Sequence, residues 1–422
     1  MVSCVRARSS KAGKQIPDPE HPESASELFQ IEDLELRGRR VLTRCDFNVP
    51  LDRGRIADDF RISSTVPTLQ RLLDSGASIT ACSHLGRPKG RVVDELRLDP
   101  IAERLREMLG RDVLKANDVV GPSAREAVAS GAAVVLLENL RFEPGEESND
   151  PRFAGELASL GDAYVDDAFG AAHRSHASVV GVAERIPCAA GLLLAEEVRK
   201  LERLLVAPDH PFVAVLGGAK VSDKLAMIEN FLDRVDAICI GGAMAFTLLA
   251  ASGRPIGRSR VEEDRLDSVA KMLGRARNKG VEMALPVDVV AASDASPGAP
   301  HDTVALDEIG DRMGVDIGPR TCERFASVIE GARSVLWNGP MGIFEIEDYA
   351  AGTRAIAAAV VEATARGAYT VVGGGDSAAA LKQLGLTDGV SHLSTGGGAS
   401  LEFLEGRELP GIAVLRRKRQ GL

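Results

Sequence analysis

The sequence predicts an α/β protein of two doubly wound parallel-sheet domains, joined by a connecting helix and facing each other across a cleft. Three observations predict it. Strand-like and helix-like patterns alternate along almost the whole chain. The strand-like runs are apolar on both faces, as strands must be when helices cover both sides of a sheet. The alternation breaks once, at LLLAEEVRKLERLL (192–205). That run has the spacing of an amphipathic helix of about four turns, and APDHP stops it.

In order, RRVLTRCDF reads as a strand, STVPTLQRLLDSG as a helix ending at Gly76, and ASITACS as a strand. DPIAERLREMLG opens on an Asp-Pro pair and stops at Gly110. VVLLEN, DPRFAGELASLG and AYVDDAF repeat the unit. After the connecting helix come FVAVLGG, AMIENFLDRV and AICIGGA, then EMALPVDVVAA, SVLWNGP and YTVVGGGD. The tail ELPGIAVLRRKRQGL is too short for a domain and is expected to pack back on the first one. The expected division is an extension at 1–27, a first domain at 28–191, a connecting helix at 192–207, a second domain at 208–406 and a returning tail at 407–422. No fixed-period repeat interrupts this scheme.

Composition narrows the function classes. A chain of 422 residues suits two domains, each with its own core. Only 4% of it is aromatic, so those cores are built from Ala, Val, Leu and Ile. A net charge of −10 argues against nucleic acid as the main partner, which needs a basic face. Cys4, Cys45, Cys82, Cys188, Cys239 and Cys322 are scattered with no CxxC pair, which fits reduced thiols in a cytoplasm. No apolar run approaches the roughly 20 residues needed to span a bilayer. Residues 1–27 are basic, then Pro-rich, with no apolar core; they read as a disordered extension, with an organelle-targeting segment as the alternative, and not as a secretory signal.

Against this acidic background, basic residues recur at strand ends: Arg44 in RCDFNVP, His84 and Arg87 in SHLGRP, Arg141 in ENLRF, His173 and Arg174 in DAFGAAHRSHAS. Arg61 in DDFRI joins them. Ligands bind where the carboxyl ends of parallel strands face a crevice. Arg presents a planar fork to phosphate and carboxylate, so this set suits a small, multiply charged anion. The acidic pair Asp166-Asp167 is expected to orient neighbouring arginines. The spacing of His173 and His176 is read as no metal site, because no matching third ligand lies nearby.

The second half carries Gly-rich turns after strands: LGGAKVSDK, IGGAMAF, WNGPMGIFE, VVGGGDSAAALK and LSTGGGASLEF. One such turn is weak, since plain strand–helix connections also use Gly. A series of them lets backbone N–H groups approach phosphates at several strand ends. Lys220 and Lys224, four apart, are expected on one side of a helix opened by GGAK. Asp376 is a hard oxygen ligand suited to Mg²⁺. GxxxxGK[ST], an initial GxGxxG and an HRD/DFG set are all missing, which argues against P-loop, dinucleotide-dehydrogenase and protein-kinase readings.

RCDFNVP, SHLGRP, ENLRF, DAFGAAHRSHAS, LGGAKVSDK, WNGPMGIFE, GGGDS and STGGGASLEFLEG, in order between about Ile31 and Ile412, together resemble the phosphoglycerate kinase family. The resemblance implies two Rossmann-like domains in a monomeric, cytoplasmic enzyme of glycolysis and gluconeogenesis. It implies a phosphotransferase that uses ATP/ADP and Mg²⁺ with a carboxyl acceptor, without nucleic-acid or membrane partners. The reaction would be reversible transfer between 1,3-bisphosphoglycerate and ADP, giving 3-phosphoglycerate and ATP. Carried over position by position, the glycerate substrate would meet Asp46, Phe47, Asn48, Arg61, His84, Leu85, Gly86, Arg87, Arg141 and Arg174. The nucleotide would meet Gly217, Gly218, Lys220, Lys224, Gly318, Asn338, Pro340, Glu345, Gly373, Gly374, Gly375, Asp376 and Ser377, with Mg²⁺ at Asp376. Catalysis would fall to Arg61, Lys220, Lys224, Gly374 and Gly397, the last within the 396–398 glycines. Glu197 and His392 match positions that communicate between domains. Cys45, Ala172 and Ala243 depart from the usual family residues without removing a charged group. A silent scaffold would have lost some of Arg61, Lys220, Lys224 or Asp376, and all are present.

Overall fold

Short apolar strands alternating with amphipathic helices bury both faces of a sheet when helices wind on each side, and this chain does so twice. The computed structural model describes residues 28–419, with side chains as far as Arg416. The 1–27 extension and the side chains of the basic run past Arg416 lie outside the described residues.

The first sheet runs Leu114–Lys115, Val134–Leu136, Ser78–Cys82, Arg40–Arg44, Ala163–Asp166, Cys188–Ala190, all parallel. The second runs Glu282–Ala284, Ala237–Ile240, Phe212–Leu216, Ser334–Asn338, Tyr369–Gly373, His392–Leu393, also parallel. In each, the earliest strand of the sheet lies inside it and chain order reverses there. Such switch points leave a crevice beyond the strand ends.

The helix placed at 64–76 begins a turn earlier, as Phe60–Asp74. Asp58 Oδ1 accepts the Phe60 N–H at 2.9 Å, and the Asp59 carbonyl accepts those of Ile62 and Ser63. Arg61 therefore sits in a first helical turn instead of at a strand end. The Asp99–Leu109 helix stops at Gly110, whose φ of 59° is the left-handed conformation that glycine adopts at least cost.

EMALPVDVVAA, which reads as one run, splits around Pro286. Glu282–Ala284 edges the second sheet, while Asp288–Ala292 joins His301–Ala305 and Met313–Ile317 in a three-stranded antiparallel sheet. Proline has no N–H to donate to a ladder, so the strand cannot continue through it.

The Leu192–Val206 helix joins the halves. Asp167 Oδ1 accepts the N–H groups of Leu193 and Leu194, and Thr68 Oγ1 that of Leu192. Asp167 thus caps this helix; the expectation that it orients an arginine is corrected. Leu194, Val198, Leu201 and Leu204 are fully buried. They link Tyr164 and Ala190 of the first sheet to Phe212 and Ala214 of the second in one continuous apolar cluster. Two separate cores were expected; each sheet does keep its own cluster on its other face, around Val41 and Leu69 in one and Val335 and Trp337 in the other. The Pro410–Arg419 helix returns to the first half: the Gly411 N–H donates to the Ala172 carbonyl at 2.9 Å, and Ile412 and Leu415 enter the shared cluster.

Truncating a buried leucine loses its transfer free energy and leaves a cavity, at a cost of about 2–5 kcal/mol. Leu201→Ala is expected to lose that much stability in urea unfolding. A loss below about 0.5 kcal/mol, the range of a surface substitution, would show that the connecting helix is not a core element.

Candidate active site

The first half-site is built on the carboxyl end of the first sheet. Asp46 follows the central strand and is almost fully buried; its Oδ2 accepts from Arg61 Nη1 at 2.9 Å. The same nitrogen reaches the Asn48 carbonyl at 3.3 Å, so two partners aim Arg61. Asn48 Oδ1 accepts the Gly86 N–H at 2.9 Å, and Phe47 N–H donates to Ser83 Oγ at 2.9 Å. Asn139 clamps Leu85 through both its N–H and its carbonyl. Arg141 Nη1 donates to the Gly86 carbonyl at 2.6 Å. These bonds lock the RCDFNVP, SHLGRP and ENLRF segments into one surface.

The arginines divide by burial. Arg87 is exposed, Arg61 and Arg174 are partly exposed, and Arg141 is 3% exposed. Arg44 is 1% exposed and its guanidinium is taken up by Ser178, the Cys45 carbonyl and His84, so its place among anion-facing residues is corrected: the central strand carries it inward. Burial holds the Arg174 pKa below the usual arginine value, and Arg44 and Arg87 push it the same way. Crowded, partly desolvated cations favour an anion that relieves their repulsion. His173 Nε2 accepts from Arg174 Nε at 3.2 Å, and His176 Nδ1 lies 3.6 Å from Glu146.

The second half-site sits at the other switch point. The Gly217 N–H donates to the Asn338 carbonyl and the Gly218 N–H to the Pro340 carbonyl, both at 3.0 Å. A Cβ on Gly217 would stand 2.0 Å from that Pro340 oxygen, so only glycine allows the approach. Lys224 is buried and donates to the carbonyl and the side-chain oxygen of Asn338. Burial pulls its pKa down to about 8, against the pull of Asp376 and Asp223. Lys220 is exposed. The two lysines do not share a helix face as expected, because the helix starts only at Leu225. Glu262 takes the N–H groups of Val221 and Ser222 and the Ser222 hydroxyl, which holds the preceding loop in a turn.

Gly374 has a φ of 90° and precedes the Gly375–Gln383 helix. Asp376 lies in that first turn, and Ser377 Oγ accepts the Gly339 N–H at 2.6 Å. The Asn338 side-chain nitrogen is buried without a hydrogen bond among the described residues, near Gly373 and Gly374. A cavity of 220 Å³ is lined here by Gly218, Pro340, Glu345 and Asp376.

Sequence reasoning missed part of this cavity. Phe246, Val289, Gly314 and Asp316 also line it, several of them from the antiparallel sheet that left no signature in the pattern. Gly318 does not line it and is corrected: it precedes the Pro319–Glu330 helix with its α-carbon turned to the Asp288 carboxylate. Gly314, four residues earlier, occupies the cavity wall. Burial pushes the Asp316 pKa up to about 7, despite N–H donors from Gly352 and Ile317.

The halves meet at a second cavity, of 430 Å³, lined by Asp58, Phe60 and Arg61 from one and Gly374, Lys382, Thr395 and Gly397 from the other. Lys382 Nζ and Asp58 Oδ1 pair across it at 2.7 Å. Arg61 Nη2 lies 3.7 Å from where a Cβ on Gly397 would stand. Glu197 on the connecting helix is fully buried. It accepts from His392 Nε2 at 2.9 Å, from the Ser394 and Thr395 hydroxyls at 2.8 Å each, and from the Thr395 N–H at 2.5 Å.

Comparison with known proteins agrees with this geometry. The family model for phosphoglycerate kinase matches residues 31–407. A phosphoglycerate kinase of Moorella thermoacetica is 53% identical over 391 residues, covering 92% of this chain and 99% of that protein. One from Thermomicrobium roseum is 53% identical over 388 residues, covering 91% and 98%. The solved phosphoglycerate kinase of Coxiella burnetii superposes with a TM-score of 0.83 at 41% identity, covering 92% of this chain and 99% of that one. That of Pyrococcus horikoshii gives 0.82 at 32% identity, covering 94% and 100%. With two open parallel sheets, a basic crevice on one and a glycine-lined cavity on the other, the chain belongs to the phosphoglycerate kinase family.

Proposed function

We propose that the crevice moves a phosphoryl group reversibly between 1,3-bisphosphoglycerate and ADP, giving 3-phosphoglycerate and ATP, by closing two half-sites on each other. The observation that carries this reading is the position of Arg61, aimed by Asp46 in one half and facing Gly397 of the other. The acceptor carboxylate is ionised at neutral pH, since a free carboxyl titrates near about 4. It needs no general base. The work left to the protein is positioning and charge neutralisation.

In this reading Arg61, Arg87, Arg141 and Arg174 hold the glycerate with Asp46, Asn48, His84 and the Phe47, Leu85 and Gly86 backbone. Gly217, Gly218, Lys220, Lys224, Asn338, Pro340, Glu345 and residues 373–377 hold the nucleotide. Arg61 bridges the transferring group, with Lys220 and Lys224 on the nucleotide side. Gly374 and Gly397 let backbone N–H groups approach it. The unpaired Asn338 nitrogen supports a ligand here, because buried donors are rarely left empty.

Mg²⁺ fits the donor set. No group of three or more metal-binding side chains occurs among the described residues, and Asp376 lines the cavity with Glu345 and Asp316. One carboxylate beside phosphate oxygens suits an ion that keeps most of its waters. Bound there with the nucleotide, it supplies neutralisation of phosphate charge.

The units of this mechanism are 28–191 for the glycerate, 208–406 for the nucleotide, 192–207 between them and 407–422 returning to the first. The sheet memberships and the docking of Gly411 on Ala172 support those limits. Cytoplasmic location is supported by the free thiols of Cys45, Cys82, Cys239 and Cys322. Among the described residues no helix is long and apolar enough to cross a membrane. Both half-sites come from one chain, which supports a monomer.

A coupled assay should detect ADP formation that depends on 3-phosphoglycerate and Mg²⁺; ATP turnover indifferent to 3-phosphoglycerate would sink the reading. In that assay Arg61→Ala is expected to lower kcat by about 10²-fold or more, with ATP affinity within a factor of about three. An unchanged kcat would remove Arg61 from the bridging role.

Lys224 sets the pH dependence. With its pKa lowered to about 8, it is charged below that pH and neutral above it in the nucleotide-free enzyme. The profile of kcat/KM for ATP, which reports the free enzyme, should therefore fall with a midpoint near 8. Lys224→Arg should move that fall above pH 10, because Arg stays protonated. A wild-type profile flat to pH 10 would refute the assignment.

Each ligand biases closure only by its preference for the closed arrangement, and two ligands add their preferences. Small-angle scattering is expected to give a smaller radius of gyration with 3-phosphoglycerate and nucleotide together than with either alone. An unchanged radius in an active ternary sample would rule closure out.

A further inference from the structure

A buried polar chain lies beneath the basic crevice, and the reaction described above does not use it. Glu146 is fully buried in the Pro144–Glu147 turn. Its Oε1 accepts the Ser178 hydroxyl at 2.6 Å and its Oε2 the Ser178 N–H at 3.0 Å. The same hydroxyl accepts from Arg44 Nε at 2.9 Å. Arg44 Nη1 donates to the Cys45 carbonyl, and Nη2 lies 3.1 Å from His84 Nδ1. Arg44 is the donor on both sides, to Ser178 and to His84. A guanidinium has N–H donors and no acceptor, so His84 Nδ1 must offer its lone pair and the ring proton must sit on Nε2.

Protonating Nδ1 would set a donor against a donor beside a full positive charge. The other groups facing the ring oppose a second proton as well. Arg61 approaches from the Phe60–Asp74 helix, and Arg174 and His176 from the segment beyond the Ala163–Asp166 strand. Burial acts first and those charges next, and together they hold His84 well below its ordinary titration range. Glu146 stays ionised: burial opposes this, but hydrogen bonds from His176 and Ser178 and the Arg44 charge outweigh it.

We propose that Glu146, Ser178 and Arg44 are positioning residues that lock His84 as the neutral Nε2–H tautomer, so that His84 gives the phosphoglycerate anion a hydrogen-bond donor and not a positive charge. The proposal rests on the reading of this half as the glycerate site. The cationic part of recognition then belongs to Arg61, Arg87, Arg141 and Arg174, whose charge does not change in the physiological pH range.

The test is heteronuclear NMR on the full chain labelled with ¹⁵N,¹³C-histidine, with His84 assigned through His84→Gln. Between pH 8 and 5.5 the His84 ring is expected to keep the neutral Nε2–H signature and to shift when 3-phosphoglycerate is added. Titration near pH 6.5, or an Nδ1–H signature, would overturn the lock. A locked ring unmoved by saturating 3-phosphoglycerate would overturn its role as donor to substrate, and with it the placement of the glycerate site, while leaving the tautomer established. Ser178→Ala cuts the chain at one oxygen. A lost hydrogen bond of about 0.5–1.5 kcal/mol corresponds to roughly a 2- to 12-fold change. KM for 3-phosphoglycerate is expected to rise by that factor with KM for ATP unchanged, and the His84 ring signals are expected to shift as Arg44 loses the partner that aims it. A folded Ser178→Ala protein with wild-type ring signals and KM would overturn the positioning role. Should that variant not fold, the wild-type ring signature decides the question alone.

Discussion

A carboxylate with no access to water must collect hydrogen bonds or give up its charge, and Glu197 collects four. Its donors are His392, Ser394 and Thr395, which run from the last strand of the second sheet to the glycines at 396–398. Glu197 itself projects from the connecting helix, whose first turn is capped by Asp167 of the first half. One side chain thus ties together the helix that joins the sheets and the glycine loop that faces Arg61. Removing it would take the shared acceptor from His392, Ser394 and Thr395 at once. The rest of the arrangement depends on this tie, because Arg61 and Gly397 meet only if the two sheets keep their relation.

Around that tie the shared apolar cluster and the single ion pair across the larger cavity contribute differently. The cluster through Leu194, Val198, Leu201 and Leu204 is fully buried and contributes several kcal/mol. The Lys382–Asp58 pair is exposed to a third or more on both sides, 53% and 36%, so it is worth at most about 1 kcal/mol. A strong joint at the helix and a weak clasp at the rim suit parts that open and close without unfolding. The weak clasp is part of the cavity lining, and the connecting helix contributes no residue to that lining.

The charge pattern follows the same economy. The protein carries a net charge of −10, yet its first half concentrates arginines over one crevice. Asp46, Glu146 and Asp167 lie beneath or beside them in fixed hydrogen bonds. The buried carboxylates orient cations and cap a helix, while Arg61, Arg87 and Arg174 stay accessible in the crevice. On the opposite sheet glycine lets segments approach closely, Gly217 against the Pro340 carbonyl, with Lys224 buried beside them and its charge partly desolvated.

The sequence by itself determined the two parallel sheets, the connecting helix and the motif residues at the strand ends. These are local matters: strand and helix periods, the Gly110 stop and the Gly374 turn are written in neighbouring residues. Family membership was legible for a related reason, since RCDFNVP, SHLGRP and STGGGASLEF are contiguous strings. Environment was not legible. Only the tertiary structure turned Arg44 inward, gave Asp167 to a helix terminus, moved the start of the Phe60–Asp74 helix and separated Lys220 from Lys224. It also lined the glycine-rich cavity of the second half with Gly314 instead of Gly318, through a small antiparallel sheet split off at Pro286. The inward turn of Arg44, the capping role of Asp167 and the lining of the cavity depend on which distant segment arrives beside a residue, 134 positions away for Arg44 and Ser178. A side chain's partners, burial and protonation are fixed by those non-local contacts, and no local period encodes them.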